Sequence, residues 1–272
     1  MKTLTHIGTG LVLTFLVSAS LRATDFRSSL TFDADYSQGA DLVAGTPKEA
    51  RLAESAVVSA GQLEVPGSSE GGAEYGIALR DYLDVSSSSW GANTLAGVFV
   101  LNSSSAKARQ TLFSTGNNDA VPPVYDNHHG MILLANSDSA TGGPRFSLCH
   151  DWKSIDIGID DFKPLPGVPY FIAVSWRDNG DENIDFRIYL REIGDAAGAD
   201  AIYKAATVVR PSLGMSRTDD QIVAIGHRLG SRDVTKKDAL NGSVQRFQIH
   251  STFLEDQDGF AKLFDSVAAS LP

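Results

Sequence analysis

PGVPYFIAVSWRDNGDENIDFRIYLREIG, residues 166–194, is the stretch that decides the fold. In its second half Ile184, Phe186, Ile188 and Leu190 point one way, while Asp185, Arg187, Tyr189 and Arg191 point the other. A period of two is what an extended strand with one buried face produces. Val168–Trp176 is a strand candidate just before it, and Asp178-Asn179-Gly180 supplies the turn formers between the two. The same pattern recurs outward in both directions. Leu30, Phe32 and Ala34 alternate with Thr31, Asp33 and Asp35. Leu95–Leu101, Gln110–Ser114, Met131–Ala135, Arg145–His150, Ser154–Ile159, Ala201–Val209 and Gln221–Ile225 are further short strands. In SVQRFQIH, Val244, Phe247 and Ile249 break the alternation once, which predicts a bulge. Only Glu255–Ala269 reads as a helix of any length, with Phe260, Leu263, Phe264 and Val267 on one stripe. A dozen short strands and one helix predict an all-β fold, a two-sheet antiparallel sandwich with a short C-terminal helix.

The first 23 residues read differently. Lys2, an apolar run from Leu11 to Val17, and small residues with Ala19 and Ala23 as possible last residues before cleavage form the layout of a secretory signal peptide. The expected division is a signal peptide over 1–23 and one domain over 24–272, with the mature protein secreted, periplasmic or associated with the cell surface. The apolar run is far short of the roughly 20 residues that span a bilayer, so no membrane insertion is expected after cleavage. The net charge of −10, which becomes −12 without Lys2 and Arg22, argues against a nucleic-acid partner. It is compatible with bound calcium. The single cysteine, Cys149, has no partner for an internal disulfide, so stability must come from a core.

The order of the strands carries a resemblance. IAVSW at Ile172–Trp176, FRIYL at Phe186–Leu190, IVAIG at Ile222–Gly226, NGSVQRFQIH at Asn241–His250 and FLEDQDGFAKLF at Phe253–Phe264 follow one another as the strands and terminal helix do in the laminin-G-like, concanavalin-A-like jelly-roll proteins of bacteria. LTFDAD, LAGVFVLN and TLFSTG resemble that family's early strands, so the likeness covers nearly all of the mature chain. It departs in two places: Gln245-Arg246 stands where the family tends to have an acidic pair, and Val100 where it has tryptophan. The resemblance implies a jelly roll and a module that binds carbohydrate or an extracellular protein. Related jelly rolls often hold structural calcium near the chain ends. Asp33 and Asp35, on one side of their strand, are therefore the expected first ligands, with backbone carbonyls and another acidic loop completing the shell.

Catalytic chemistry finds little support. Glycoside hydrolases on this scaffold present paired carboxylates on alternate positions of one strand, as E-x-D-x-E, and no strand here does so. The acidic clusters Asp160-Asp161, Asp178 through Asp185, Asp219-Asp220 and Glu255 through Asp258 fall in turns or at the helix start. Gln248-Ile249-His250 resembles the Q-I-H strand of some alginate lyases, without the Tyr-Phe-Lys strand that follows it there. A lyase site would need Gln248 and His250 to meet Arg187 and Tyr189 on one open face. The serine strings at Ser86–Ser89 and Ser103–Ser105 lack a G-x-S-x-G context. The expected ligand surface is the long loop Gly116 through Asp126 with its neighbours. Tyr125, His129 and Trp152 there supply faces that stack on sugars. The expected function is thus a non-catalytic binding or adhesion module, with a polysaccharide-degrading lyase or glycoside hydrolase as the alternative.

Overall fold

The computed structural model describes residues 26–45, 49–53, 55–67, 72–76, 79–102, 109–116, 129–137, 142–150, 153–194, 201–210, 214, 222–227, 229 and 238–272. A four-residue turn of helix, α1 (Phe26–Ser29), leads into β1 (Leu30–Asp35), β2 (Arg51–Leu52), β3 (Val57–Ser59), β4 (Gln62–Pro66) and β5 (Ala73–Tyr75). Then come β6 (Ala92–Leu101), β7 (Gln110–Gly116), β8 (His129–Asn136), β9 (Arg145–His150), β10 (Lys153–Gly158), β11 (Pro169–Asp178) and β12 (Asn183–Glu192). The chain closes with β13 (Ile202–Val209), β14 (Ile222–Ile225), β15 (Asn241–His250) and α2 (Gln257–Ala268). No helix among the described residues is long and apolar enough to cross a membrane.

The strands form two antiparallel sheets. The eight-stranded sheet runs β13-β12-β11-β6-β15-β4-β3, with β1 lying beside the second half of β15. The seven-stranded sheet runs β10-β9-β8-β7-β14-β5-β2. Inward side chains of both interdigitate in one core, the arrangement of a jelly-roll sandwich. Aromatic rings join the layers directly. Phe113 of β7 stacks on Phe247 of β15 at 5.2 Å, and Phe146 of β9 stacks on Trp176 of β11 at 5.1 Å. Gly97 on β6 makes room for the first pair, because a Cβ there would lie 2.7 Å from the Phe247 ring.

A second, smaller core lies on the far side of the eight-stranded sheet. Phe260, Leu263, Phe264 and Val267 of α2 pack on Ala96, Val98, Phe171, Ala173 and Tyr189. The middle strands β6, β11 and β12 are thereby buried on both faces, which is why YFIAV at 170–174 is apolar without a break. The expected helical stripe is the one that docks, and Asp256 caps the helix by accepting the Gly259 amide at 2.9 Å. The expected bulge in β15 is also present. Its register against β6 shifts between Val244 and Arg246, so Val244 and Phe247 both face the core while Arg246, Gln248 and His250 face outward.

Candidate functional site

α2 and the N-terminal turn cover the outward side of the middle strands of the eight-stranded sheet, while Ala205 and Thr207 of β13 stay exposed, and the lyase residues lie in or beside the covered part. Gln248 and His250 do share a side of β15, with His250 Nε2 and Gln248 Oε1 3.4 Å apart. Both are buried, and His250 is only 2% exposed. Burial pulls its imidazole down to about 4, against a smaller upward pull from its hydrogen bond with the Phe26 carbonyl. Arg187 and Tyr189 stand on β12, which β11 and β6 separate from β15. Three inter-strand steps of about 4.8 Å put the two half-sites roughly 14 Å apart. Tyr189 is stacked on Phe260 at 5.6 Å, beneath α2. These four residues are therefore neither neighbours nor accessible together.

The outward row of β12 is an ion-pair ladder. Asp185 accepts from Arg177 at 3.0 Å and from Thr207 at 2.6 Å. Burial pushes its carboxyl up, but these bonds, one from Asn179 and the charge of Arg187 outweigh it and hold the group below its usual range. Arg177 and Arg187 flank the Phe253 ring at 4.5 and 5.3 Å and both reach Glu255. This constellation ties the start of α2 to the sheet.

Asp33 and Asp35 face one side of β1, as their alternation requires, and the cation against them is Arg246 from β15. Its Nε and Nη2 donate to the two oxygens of Asp33 at 2.9 and 2.6 Å, and Nη1 lies 3.8 Å from Asp35. The fork takes both Asp33 oxygens. Among the described residues no group of three or more His, Cys, Asp or Glu could hold a metal ion. Calcium at this pair would have to displace the guanidinium. We therefore expect the same thermal midpoint in excess calcium and in chelator; a rise with calcium would show that an ion takes the place of Arg246.

The seven-stranded sheet presents its outward face differently. Register places Asp156, Ser147, Ile132, Ser114, Ala224, Glu74 and Arg51 in one transverse row. Ser154, Cys149 and Gly130 form the next row on the β8–β10 side. Most of these side chains are small, so β8, β9 and β10 carry a shallow floor with hydroxyl groups and one aliphatic patch at Ile132. Over β7 the floor is roofed by the chain leaving β14. Ser114 Oγ donates to the His227 carbonyl at 2.9 Å and accepts the Leu229 amide at 3.0 Å.

Polar groups stand at both sides of this floor. On the β10 side Arg145 binds Asp156, and its Nη2 binds Asp160 at 2.6 Å. Lys204 of β13 reaches over to donate to the Gly158 carbonyl at 2.8 Å, with its amine 3.6 Å from Asp160. On the β5 side His227 Nε2 lies 3.1 Å from Glu74 Oε1. Its Nδ1 is buried without a hydrogen-bond partner among the described residues. It packs on Gly72, where a Cβ would lie 2.2 Å away.

Tyr125 and Trp152 lie outside the described residues, as does the side chain of His129. The backbone at His129 pairs with His150, which also pairs with Lys153, so that strand end belongs to the same sheet as the floor. The floor itself, with Ser147, Ile132, Asp156 and Arg145, was not foreseen. Each of its residues is unremarkable in sequence, and only register brings them together.

No family model and no curated protein matches the sequence. Solved structures do resemble the fold. The binding domain of botulinum neurotoxin serotype C1 is similar at a TM-score of 0.56 and 13% identity, over 89% of this chain and 53% of that one. Trypanosoma rangeli sialidase in complex with sialic acid is similar at 0.51 and 13% identity, over 88% of this chain and 33% of that one. The CBM40 domain of a Ruminococcus gnavus IT-sialidase, bound to α2,3-sialyllactose, is similar at 0.44 and 18% identity, over 72% of this chain and 98% of that one. At these identities the likeness is one of fold, and the fold is a jelly-roll β-sandwich.

Proposed function

We propose that this protein is an exported, non-catalytic carbohydrate-binding module whose ligand face is the outward side of β8, β9 and β10. One observation carries the reading. α2 and the N-terminal turn cover the middle of one outer face of the sandwich, whereas the other presents, among the described residues, a floor of small polar side chains edged by Arg145 and Asp156. Saccharides fit such a surface: their hydroxyl groups take fixed carboxylate acceptors and guanidinium donors, and a C–H face rests on an aliphatic patch such as Ile132. The fold likeness to a toxin binding domain and to a portion of a sialidase is in keeping with this reading. So is the separation of Gln248 and His250 from Arg187 and Tyr189, which takes apart the set of residues that the sequence offered for β-elimination.

The test is a glycan array with the mature protein, run beside a turnover assay on the same sugars. Binding without product release is expected. Ser147→Tyr, which fills the middle of the floor, should weaken binding at least tenfold, about 1.4 kcal/mol. Its thermal midpoint should fall by no more than about 2–4 °C, since Ser147 is half-buried and points away from the core. Undiminished binding by the variant would remove the site from this face, and released product would overturn the non-catalytic assignment.

A further inference from the structure

α1 (Phe26–Ser29) buries none of its residues fully, and its apolar hold is the partly buried Phe26 ring at the edge of the smaller core. His250 makes the central polar contacts. Its Nδ1 lies 3.2 Å from the Phe26 carbonyl and 3.3 Å from Ser29 Oγ, and its ring meets the Phe26 ring edge-on at 6.0 Å. The Ser251 amide donates to the Ser29 carbonyl at 2.8 Å. We propose that α1 is an acid-sensitive latch with His250 as its trigger, closed over the neutral imidazole and released when the ring takes up a proton.

The surroundings of the ring fix the direction of the effect. On its own strand it faces Gln248 and, further along, the positive charge of Arg246. On β1 the charged groups are Asp33, which favours a proton on the ring but has both oxygens held by Arg246, and Asp35 further along, which is bonded to Ser37 and lies 3.8 Å from Arg246. From β6 it faces Thr94, whose hydroxyl is engaged with Ser175 and the Thr252 carbonyl. Within α1 the one ionisable side chain is Arg27, which is exposed. No group on any of these elements offers an uncommitted negative charge to an imidazolium, so burial decides, and the closed state holds the ring at about 4. Opening exposes the ring and restores its ordinary value of about 6.5. The open state therefore binds the extra proton between these limits. Closure is at full strength above about pH 6.5 and is lost progressively down to about pH 4, with the opening constant rising about tenfold per pH unit.

Exchange of the Ser251 amide in the full chain, corrected for the intrinsic rate at each pH, reads the latch directly, because that amide is bonded to Ser29 only while α1 is docked. Between pH 7 and pH 4.5 we expect its opening constant to rise about sixtyfold while amides in β11 and β12 keep their protection. His250→Gln should abolish the slope. A flat profile in the wild type, a slope that survives in His250→Gln, or a simultaneous loss in β11 and β12 would overturn the latch. If His250→Gln does not fold, the imidazole resonance of the wild type serves instead. Titration near 4 in the folded protein supports the device, and titration near 6.5 overturns it.

Discussion

Arg246→Met should lower the free energy of unfolding by about 3–5 kcal/mol, the cost of leaving a buried charge without its partner. Asp33 is only 3% exposed, and both of its oxygens are engaged by the one guanidinium. Methionine keeps most of the length of the side chain and removes all of the charge, so the loss reports Asp33 left alone more than a cavity. The double variant Asp33→Leu/Arg246→Met separates the pair from its context. A buried ion pair replaced by apolar groups of similar volume often costs little, so the double variant should recover most of the loss. Urea unfolding of the wild type, Arg246→Met, Asp33→Leu and the double variant measures the coupling. A single variant within 1 kcal/mol of wild type would show that water reaches Asp33 freely.

Trp176→Ala should cost a comparable 3–5 kcal/mol through a different mechanism. The ring is fully buried, bridges the two sheets by stacking on Phe146, and donates from Nε1 to the Trp90 carbonyl at 2.8 Å. Alanine removes the bridge, leaves a cavity between the layers and strips that carbonyl of its shorter bond, leaving it only the Asn93 side-chain amide at 3.4 Å. Trp176→Phe keeps a ring against Phe146 and loses only the donor and part of the volume, so it should cost about 1–2 kcal/mol. For a chain of this size the alanine variant should lower the thermal midpoint by roughly 6–20 °C. Equal losses in the two variants would mean that the hydrogen bond, and not the packing between sheets, dominates at this position.

The sequence made some of this legible and hid the rest for physical reasons. The alternation from Ile184 to Arg191 falls inside β12, and the broken alternation around Gln245 is a real bulge, because burial on one face of a strand writes itself into every second residue. The stripe Phe260, Leu263, Phe264 and Val267 marks the buried side of α2 for the same reason at the helical period. β2, β3, β4 and β5 were not foreseen. They are two, three, five and three residues long, too short for a period to show, and Ala60 and Gly61 interrupt β3 and β4 with positive φ angles of 49° and 78°. Which strands adjoin was also hidden. Nothing local in Gln248-Ile249-His250 or Phe186–Leu190 tells that β6 and β11 lie between them, and that order is what separates the lyase residues. Asp33 and Asp35 were correctly placed on one side of β1, but the guanidinium that meets them comes from more than 200 residues away in the chain. The floor formed by Ser147, Ile132 and Asp156 is a product of register alone.

Lys204 has a bearing on how copies of this protein behave toward one another. It sits in β13, the strand that ends the eight-stranded sheet, and it points inward to the Gly158 carbonyl and Asp160 of the opposite layer. An eight-residue edge strand carries a row of backbone groups ready to pair with another chain, the step from which fibrous aggregates grow. A strand added there would extend the sheet over the ammonium and strip it of water, a penalty that no backbone hydrogen bond offsets. The lysine that bridges the layers thus also guards the open side of the sandwich against polymerisation in crowded solution.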